Sequence, residues 1–233
     1  MLFSTVKFDY KLIRRKKQKH LRIRISREGE VIVSSPEFIS EREIQTLLKS
    51  RENWICRHLE KFAEEKSALN PLEKILLHGE KLEVEWKHSN KRKRSRVSFI
   101  PETGTCLIEG PDPEEEHLLP ALKKSLKNLA SEELLRRTEH ISRKIGIPFT
   151  KLFLRDQKTR WGSSSGKGNI SLNWRVIMLD TEIQDYLIIH ELCHQQNFNH
   201  SSAFWNSVAR HCPDYKTLDR QLKDQTGVMS LFR

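Results

Sequence analysis

The chain has 233 residues, 36% hydrophobic and 31% charged, which is room for one large domain or two small ones around a real core. No apolar run approaches the roughly 18 residues of a membrane helix, and the N-terminus MLFSTVKFDYKL lacks a secretory apolar core of about 7–15 residues, so a soluble, cytoplasmic protein with no membrane partner is expected. Four scattered cysteines without a C-x-x-C pair exclude a disulfide framework, while 42 Lys and Arg against 31 Asp and Glu leave a net charge of +11 that favours acidic partners.

Leu21, Ile23 and Ile25 alternate with Arg22, Arg24 and Ser26, which predicts a half-buried strand. The polar turn at 27–30 leads into Val31-Ile32-Val33, so a hairpin is expected. Ser40 and Glu43 form a capping box ahead of Ile44, Leu47, Leu48, Ile55, Leu59 and Phe62, whose spacing predicts one long helix to about residue 65. Asn70-Pro71 breaks the chain. Strands are expected at 81–86, 96–100 and 106–108, with turns at Gly79 and Gly104, and GPDPEEE at 110–116 reads as a linker. Beyond Pro120, Leu122, Leu126, Leu129, Leu134 and Ile141 mark another long helix, ended by Gly146 and Pro148.

Residues 152–154 and 170–174 read as strands on either side of the turn-rich RWGSSSG loop at 160–166. Thr181 and Gln184 are spaced as a capping box for the helix TEIQDYLIIHELCHQQN. Ser201 or Ser202 is placed to cap a further helix through Phe204, Val208 and Cys212, stopped by Pro213. The expected fold class is α+β, a β-rich half at 1–112 with one long helix and a second half at 113–233, as two domains or one continuous fold.

Much of the positive charge lies in two clusters, KLIRRKKQKHLRIR at 11–24 and KHSNKRKRSRV at 87–97. The second falls between two predicted strands, where a hairpin tip is expected. Nucleic acid is a candidate partner through Arg14, Arg15, Lys16, Lys17, Lys91, Arg92, Lys93 and Arg94. The alternation of the first cluster with apolar residues fits a solvated sheet face, and neither cluster has aromatic residues interleaved for base stacking.

The chemistry concentrates at His190-Glu191-Leu192-Cys193-His194, an H-E-x-x-H segment inside a predicted helix. Residues four apart face the same way, so both imidazoles can reach one zinc ion at about 2.0–2.1 Å, while Glu191, turned about 100° away, reaches a water outside the ligand set. With 10 histidines in the chain, chance supplies such a motif about 0.04 times, and about 0.002 times when His200 is also required. Asn197 and Asn199 tolerate the left-handed backbone that would turn the chain back and present His200 to the same ion. Three protein nitrogens leave a fourth zinc position open, as catalytic sites do. Cys193 reads as a packed thiol, and His211 is a weaker third-ligand candidate.

RWGSSS at 160–165, Leu172-Asn173-Trp174, HELCH at 190–194 and NHSSAFW at 199–205 together resemble the YgjP-like metallopeptidases, a group related to the SprT and WLM zincin-type proteases. The resemblance implies a zincin-like C-terminal half, zinc ligation by His190, His194 and His200, and Glu191 as catalytic acid/base. Members often carry Cys where this chain has Ser164, so that cysteine is not required here. Zinc-dependent hydrolysis of a peptide or protein substrate is the expected function, with nucleic-acid binding, or a protease recruited to nucleic acid, as the alternative. The strand at 169–174 is expected to act as an edge that pairs with extended substrate, with Asn173 and Arg160 as substrate-binding candidates. A carboxylate should orient at least one imidazole, with Glu182, Asp185 and Asp214 as the choices.

Overall fold

In the computed structural model, which describes residues 6–26, 29–67, 70–91, 93–111 and 114–232, the chain folds as two units, Met1–Ala68 and Leu69–Arg233. In the first, the alternating residues form β2 (Arg22–Ile25), which pairs antiparallel with β3 (Val31–Ser35) as the expected hairpin, Ile23 opposite Val33. A strand the pattern did not announce, β1 (Tyr10–Arg14), runs parallel along the other side of β3. Ser40 caps α1 (Glu41–Ser50): its Oγ accepts from the Glu43 amide at 3.3 Å, and the Glu43 carboxylate accepts from the Ser40 amide at 2.9 Å. The single long helix expected here is two. The Ser50 hydroxyl donates to the Leu47 carbonyl at 2.8 Å and Arg51 leaves helical geometry before α2 (Glu52–Ser67) begins. Val31, Val33, Ile44, Leu48 and Ile55 form the core of this unit.

The second unit opens with β4 (Lys74–Leu77), β5 (Glu80–His88), β6 (Arg96–Ile100) and β7 (Thr105–Gly110), ordered β4-β5-β7-β6. β5 and β6 both pair with β7 and not with each other, so the second basic cluster is a crossover connection, not the hairpin tip expected. The helix α3 (Glu115–Ile145) begins ahead of Pro120, buries Leu118, Leu122, Leu126, Ala130 and Leu134 one turn apart, and ends on Gly146 at φ 70°. Ile75, Leu82, Cys106 and Ile108 share one core with that helix and with everything that follows. That is why the chain divides at 68/69 and not at 112/113: the four-stranded sheet cannot be separated from α3 without opening the core.

A smaller sheet holds β8 (Lys151–Arg155), β9 (Gly162–Ser164) and β10 (Asn169–Asn173) in the order β8-β10-β9, with β10 parallel to β8 and antiparallel to β9. A 3-10 turn, Trp174–Met178, leads to α4 (Thr181–Cys193), then α5 (Ser202–His211), α6 (Tyr215–Asp224) and α7 (Thr226–Ser230). The Thr181–Gln184 capping box does not form. Asp180 is the N-cap residue, and the Gln184 amide instead donates to the Leu179 carbonyl at 2.7 Å. Two features fix the approach to α4. The β4–β5 turn docks on the 3-10 segment through His78 N to Ile177 O at 2.9 Å and Gly79 N to Met178 O at 3.1 Å, and at Gly79 (φ 85°) a Cβ would lie 1.7 Å from Asp180 Oδ1. Arg175, 1% exposed, donates to the Leu231 carbonyl from Nε at 2.9 Å and Nη2 at 2.8 Å, and to Asp156 Oδ1 at 2.6 Å. The architecture is mixed α+β, and among the described residues no helix is long and apolar enough to cross a membrane.

Candidate active site

α4 carries His190 in its last turn and His194 at its C-cap, one turn apart on one face. His200 comes from the loop before α5 and stands beside them, so that one ring nitrogen from each of the three lies within 4.8 Å of the others. His190 Nε2 and His200 Nε2 are 3.2 Å apart. Two nitrogens about 2.0–2.1 Å from a shared ion at a tetrahedral angle lie about 3.3 Å apart, so the donor set fits zinc. The return of the chain to His200 uses no left-handed asparagine: among the described residues the non-glycine positive φ angles belong to His78 and Phe232. Tight turns do the work instead, Gln195 N to Leu192 O at 2.9 Å and Gln196 N to Cys193 O at 3.1 Å. Cys193 is buried with the Ser207 hydroxyl donating to its sulfur at 3.6 Å, and His211 lies outside the cluster.

Each ring is held from behind. His194 Nδ1 faces the Asn197 carbonyl at 3.0 Å, which calls for a proton on Nδ1 and leaves Nε2 a lone pair. His190 Nδ1 lies 3.4 Å from the Tyr186 hydroxyl, which donates to Asp219 Oδ1 at 2.9 Å. Phe204, fully buried on α5, touches all three imidazoles, at centroid distances of 5.0 Å from His190, 4.3 Å from His194 and 4.9 Å from His200. Burial, with repulsion from His194 and His200, lowers the His190 pKa to about 4, and burial lowers His194 as well, so both rings favour the neutral form that a metal ligand needs. The carboxylate behind the site is therefore Asp219, acting through a tyrosine. None of Glu182, Asp185 and Asp214 has that place, and Asp185 is paired with Arg137. Tyr186 is legible in the sequence as the i−4 neighbour of His190. Asp219 lies on a separate helix and carries no sequence signal.

Glu191 points from α4 towards β9. It is 5% exposed, and its Oε2 has no hydrogen-bond partner among the described residues. Burial pushes its carboxyl up to about 8, with the Arg160 guanidinium pulling the other way. Gly162 makes the close approach possible, since a Cβ there would sit 2.4 Å from Glu191 Oε1. β9 is tied to the end of the motif helix by the Gln195 amide, which donates to the Ser164 hydroxyl. Arg160 is exposed and contributes charge near Glu191. Asn173 does not line the site. It is fully buried, its amide donating to the Gln157 carbonyl at 2.8 Å and to Met229 Sδ at 3.2 Å while its oxygen accepts from the Arg175 amide at 3.1 Å. The strand that holds it, β10, is the centre of its sheet, so the edge beside α4 is β9 and not 169–174.

The basic candidates fare unevenly. Arg14 turns Nη1 onto the Pro36 carbonyl at 3.1 Å and onto the Ile39 carbonyl, clamping the loop before α1. Arg15, Lys16, Lys17, Lys91, Lys93 and Arg94 are exposed, and Arg92 lies outside the described residues.

Three convergent imidazoles and a buried carboxylate beside an edge strand, in an α+β protein, define a protein of the metal-dependent hydrolase class. The chain belongs to the YgjP-like family: the model of the YgjP-like metallopeptidase domain matches residues 19–225. It is a member of a family of metal-dependent peptidases. Among solved structures it is similar to the crystal structure of the metallopeptidase zymogen of Pyrococcus abyssi abylysin, at 28% identity over 40% of this chain and 93% of that one, with a TM-score of 0.37. No curated protein matches it.

Proposed function

We propose that this chain is a zinc-dependent peptidase with a zincin-like site, in which His190, His194 and His200 hold the ion and Glu191 handles the proton. The observation that carries the reading is the buried Glu191 carboxylate, one oxygen without a partner among the described residues, next to three imidazoles whose donor atoms lie within 4.8 Å of one another. When bound, the ion supplies Lewis acidity, lowering the pKa of water from about 15.7 towards about 7 and favouring the ionised form of the nearby carboxyl. Glu191 takes the proton of the attacking water and passes it to the leaving amine. The free edge of β9 pairs with the main chain of an extended peptide, which gives binding that tolerates many sequences. Arg160, whose charge acts on Glu191, is the cation assigned to the oxygen that turns negative during attack. Phe198, 68% exposed beside Gly166 in the β9–β10 turn, offers an apolar wall for a substrate side chain. The unpaired thiols Cys56, Cys106, Cys193 and Cys212 suit a reducing, cytoplasmic compartment.

Metal analysis of the purified chain beside His200→Ala tests the ligand set: near-stoichiometric zinc in the first and its loss in the second are expected. Glu191→Gln should keep zinc and lose hydrolysis of an unfolded protein substrate. Unchanged turnover refutes the assigned base.

A second reading, nucleic-acid binding, is favoured by one observation: Lys93 and Arg94 line a hollow of about 360 Å³ together with His117 and Lys124. Binding there should weaken steeply with salt. Affinity for DNA or RNA that survives neutralisation of Lys93 and Arg94 removes this reading.

A further inference from the structure

We infer that α6, which supplies none of the three histidines, is a positioning element for the metal site: Asp219 fixes the ring of His190 through Tyr186, and Tyr215 fixes the ring of His200 through Trp205. The inference rests on the reading of these histidines as ligands.

Tyr186 sits one turn before His190 on α4, so its hydroxyl reaches His190 Nδ1 at 3.4 Å. That hydroxyl also donates to Asp219 Oδ1 at 2.9 Å. An ionised carboxylate only accepts, so the tyrosine proton is committed to Asp219 and the phenol oxygen is left to accept from His190. His190 must then carry its proton on Nδ1, which leaves the lone pair on Nε2, the atom 3.2 Å from His200 Nε2. The other Asp219 oxygen accepts from Lys223 one turn further along α6, which keeps the carboxylate in place.

His200 is carried by the loop before α5 and not by a helix, and its support is aromatic. Its ring stacks on Trp205 at a centroid distance of 5.5 Å and 29°, and Trp205 stacks on Tyr215, at the start of α6, at 5.3 Å and 20°. His194 takes its orientation from the Asn197 carbonyl at 3.0 Å and from the Phe204 ring stacked on it at 4.3 Å. Two of the three rings are thus set by one helix, through a hydrogen-bond relay at one point and a stack of rings at the other.

The test measures Zn²⁺ affinity of the full chain by chelator competition, with the Co²⁺ absorption spectrum as a report on ligand geometry. Tyr186→Phe and Asp219→Ala should each weaken zinc about 10–100-fold. They act in series, so the double variant should be no weaker than the worse single one. Tyr215→Ala should weaken zinc about tenfold and alter the cobalt spectrum, and Tyr215→Phe, which keeps the ring, should restore both. Thermal unfolding without metal checks that each variant folds. Where Asp219→Ala does not, the near-isosteric Asp219→Asn replaces it, with the same expected direction. Single variants that bind zinc within twofold of wild type, or a double variant that loses the product of the two single losses, overturn the role of α6. Wild-type chain that binds no more zinc than His200→Ala overturns the ligand reading beneath it, and the two failures are thereby distinct.

Discussion

Replacing Gly162 with alanine puts a methyl group where the proposed proton acceptor now sits. Its Cβ would lie 2.4 Å from Glu191 Oε1 and 2.8 Å from both Cδ and Cγ of the same side chain, about 1 Å inside ordinary contact. Glu191 has little room to yield, because it is 5% exposed and lies in a helix packed against β9. Either the carboxylate retreats by about 1 Å or β9 lifts away from α4. A displacement of that size at a reacting group costs on the order of 10²-fold in rate, and the added bulk costs about 1–3 kcal/mol of stability. The three atoms nearest that Cβ all belong to Glu191 and none to a histidine, so zinc content should hold. The assay is kcat/KM on an unfolded protein substrate, paired with metal analysis of the same preparation. Gly162→Ala with wild-type turnover, or a zinc-free variant, refutes the argument that this glycine exists to admit the carboxylate.

Zinc at about 100 times its Kd should stabilise the protein by about 2.7 kcal/mol, a rise in Tm of about 5–10 °C for a domain of this size, and His200→Ala should show no such rise by calorimetry. Arg175→Met should destabilise by about 3 kcal/mol, because it strands the Leu231 carbonyl while Lys123 and Lys127 still face Asp156. An unchanged urea midpoint contradicts that. Burial alone would raise the Asp156 carboxyl, but hydrogen bonds from Arg175 and Lys127 outweigh it and hold the group well below the carboxylate range. Its folded pKa is lower than its unfolded one of about 3.9, so the stability it adds is present above that pH and is lost as pH falls through the folded value. Asp156→Asn should accordingly flatten the acid limb of stability against pH, read from urea midpoints between about pH 2 and 6.

Local signals were legible where one stretch of chain decides the outcome. The capping box at Ser40, the hairpin of β2 and β3, the stop at Gly146 and the shared face of His190 and His194 all follow from residues a few positions apart. What escaped depends on partners far along the chain. β1 with β3, β5 with β7 and β8 with β10 are parallel pairs, which need a crossover, so an apolar alternation cannot say which strand is central and which is an edge. That is why the pattern alone points to 169–174 as an edge and to Asn173 as substrate-facing, whereas β8 and β9 occupy the hydrogen bonds on both sides of β10. Thr181 and Gln184 have the spacing of a capping box, yet the Gln184 amide lies against the Leu179 carbonyl at 2.7 Å and against His78 Nδ1, 106 residues away, at 3.1 Å, and these partners prevail over the cap. Gly162 looked like turn chemistry because a glycine that makes room for a carboxylate 29 positions later has the same sequence signature as one that bends the backbone.

The clamp at Arg175 has a bearing on how the protein is made. The guanidinium and its carbonyl partner are 56 residues apart, and every proposed ligand, together with Glu191, Tyr186 and Asp219, is synthesised before Leu231. A nascent chain that has just produced His200 holds all three imidazoles and Asp156, but the carbonyl that takes Arg175 Nε and Nη2 is still to be made, so those two donors need water until then. A chain cut short of Leu231 therefore leaves the Arg175 guanidinium in the interior without the carbonyl that takes two of its bonds, while Asp156 still takes the third.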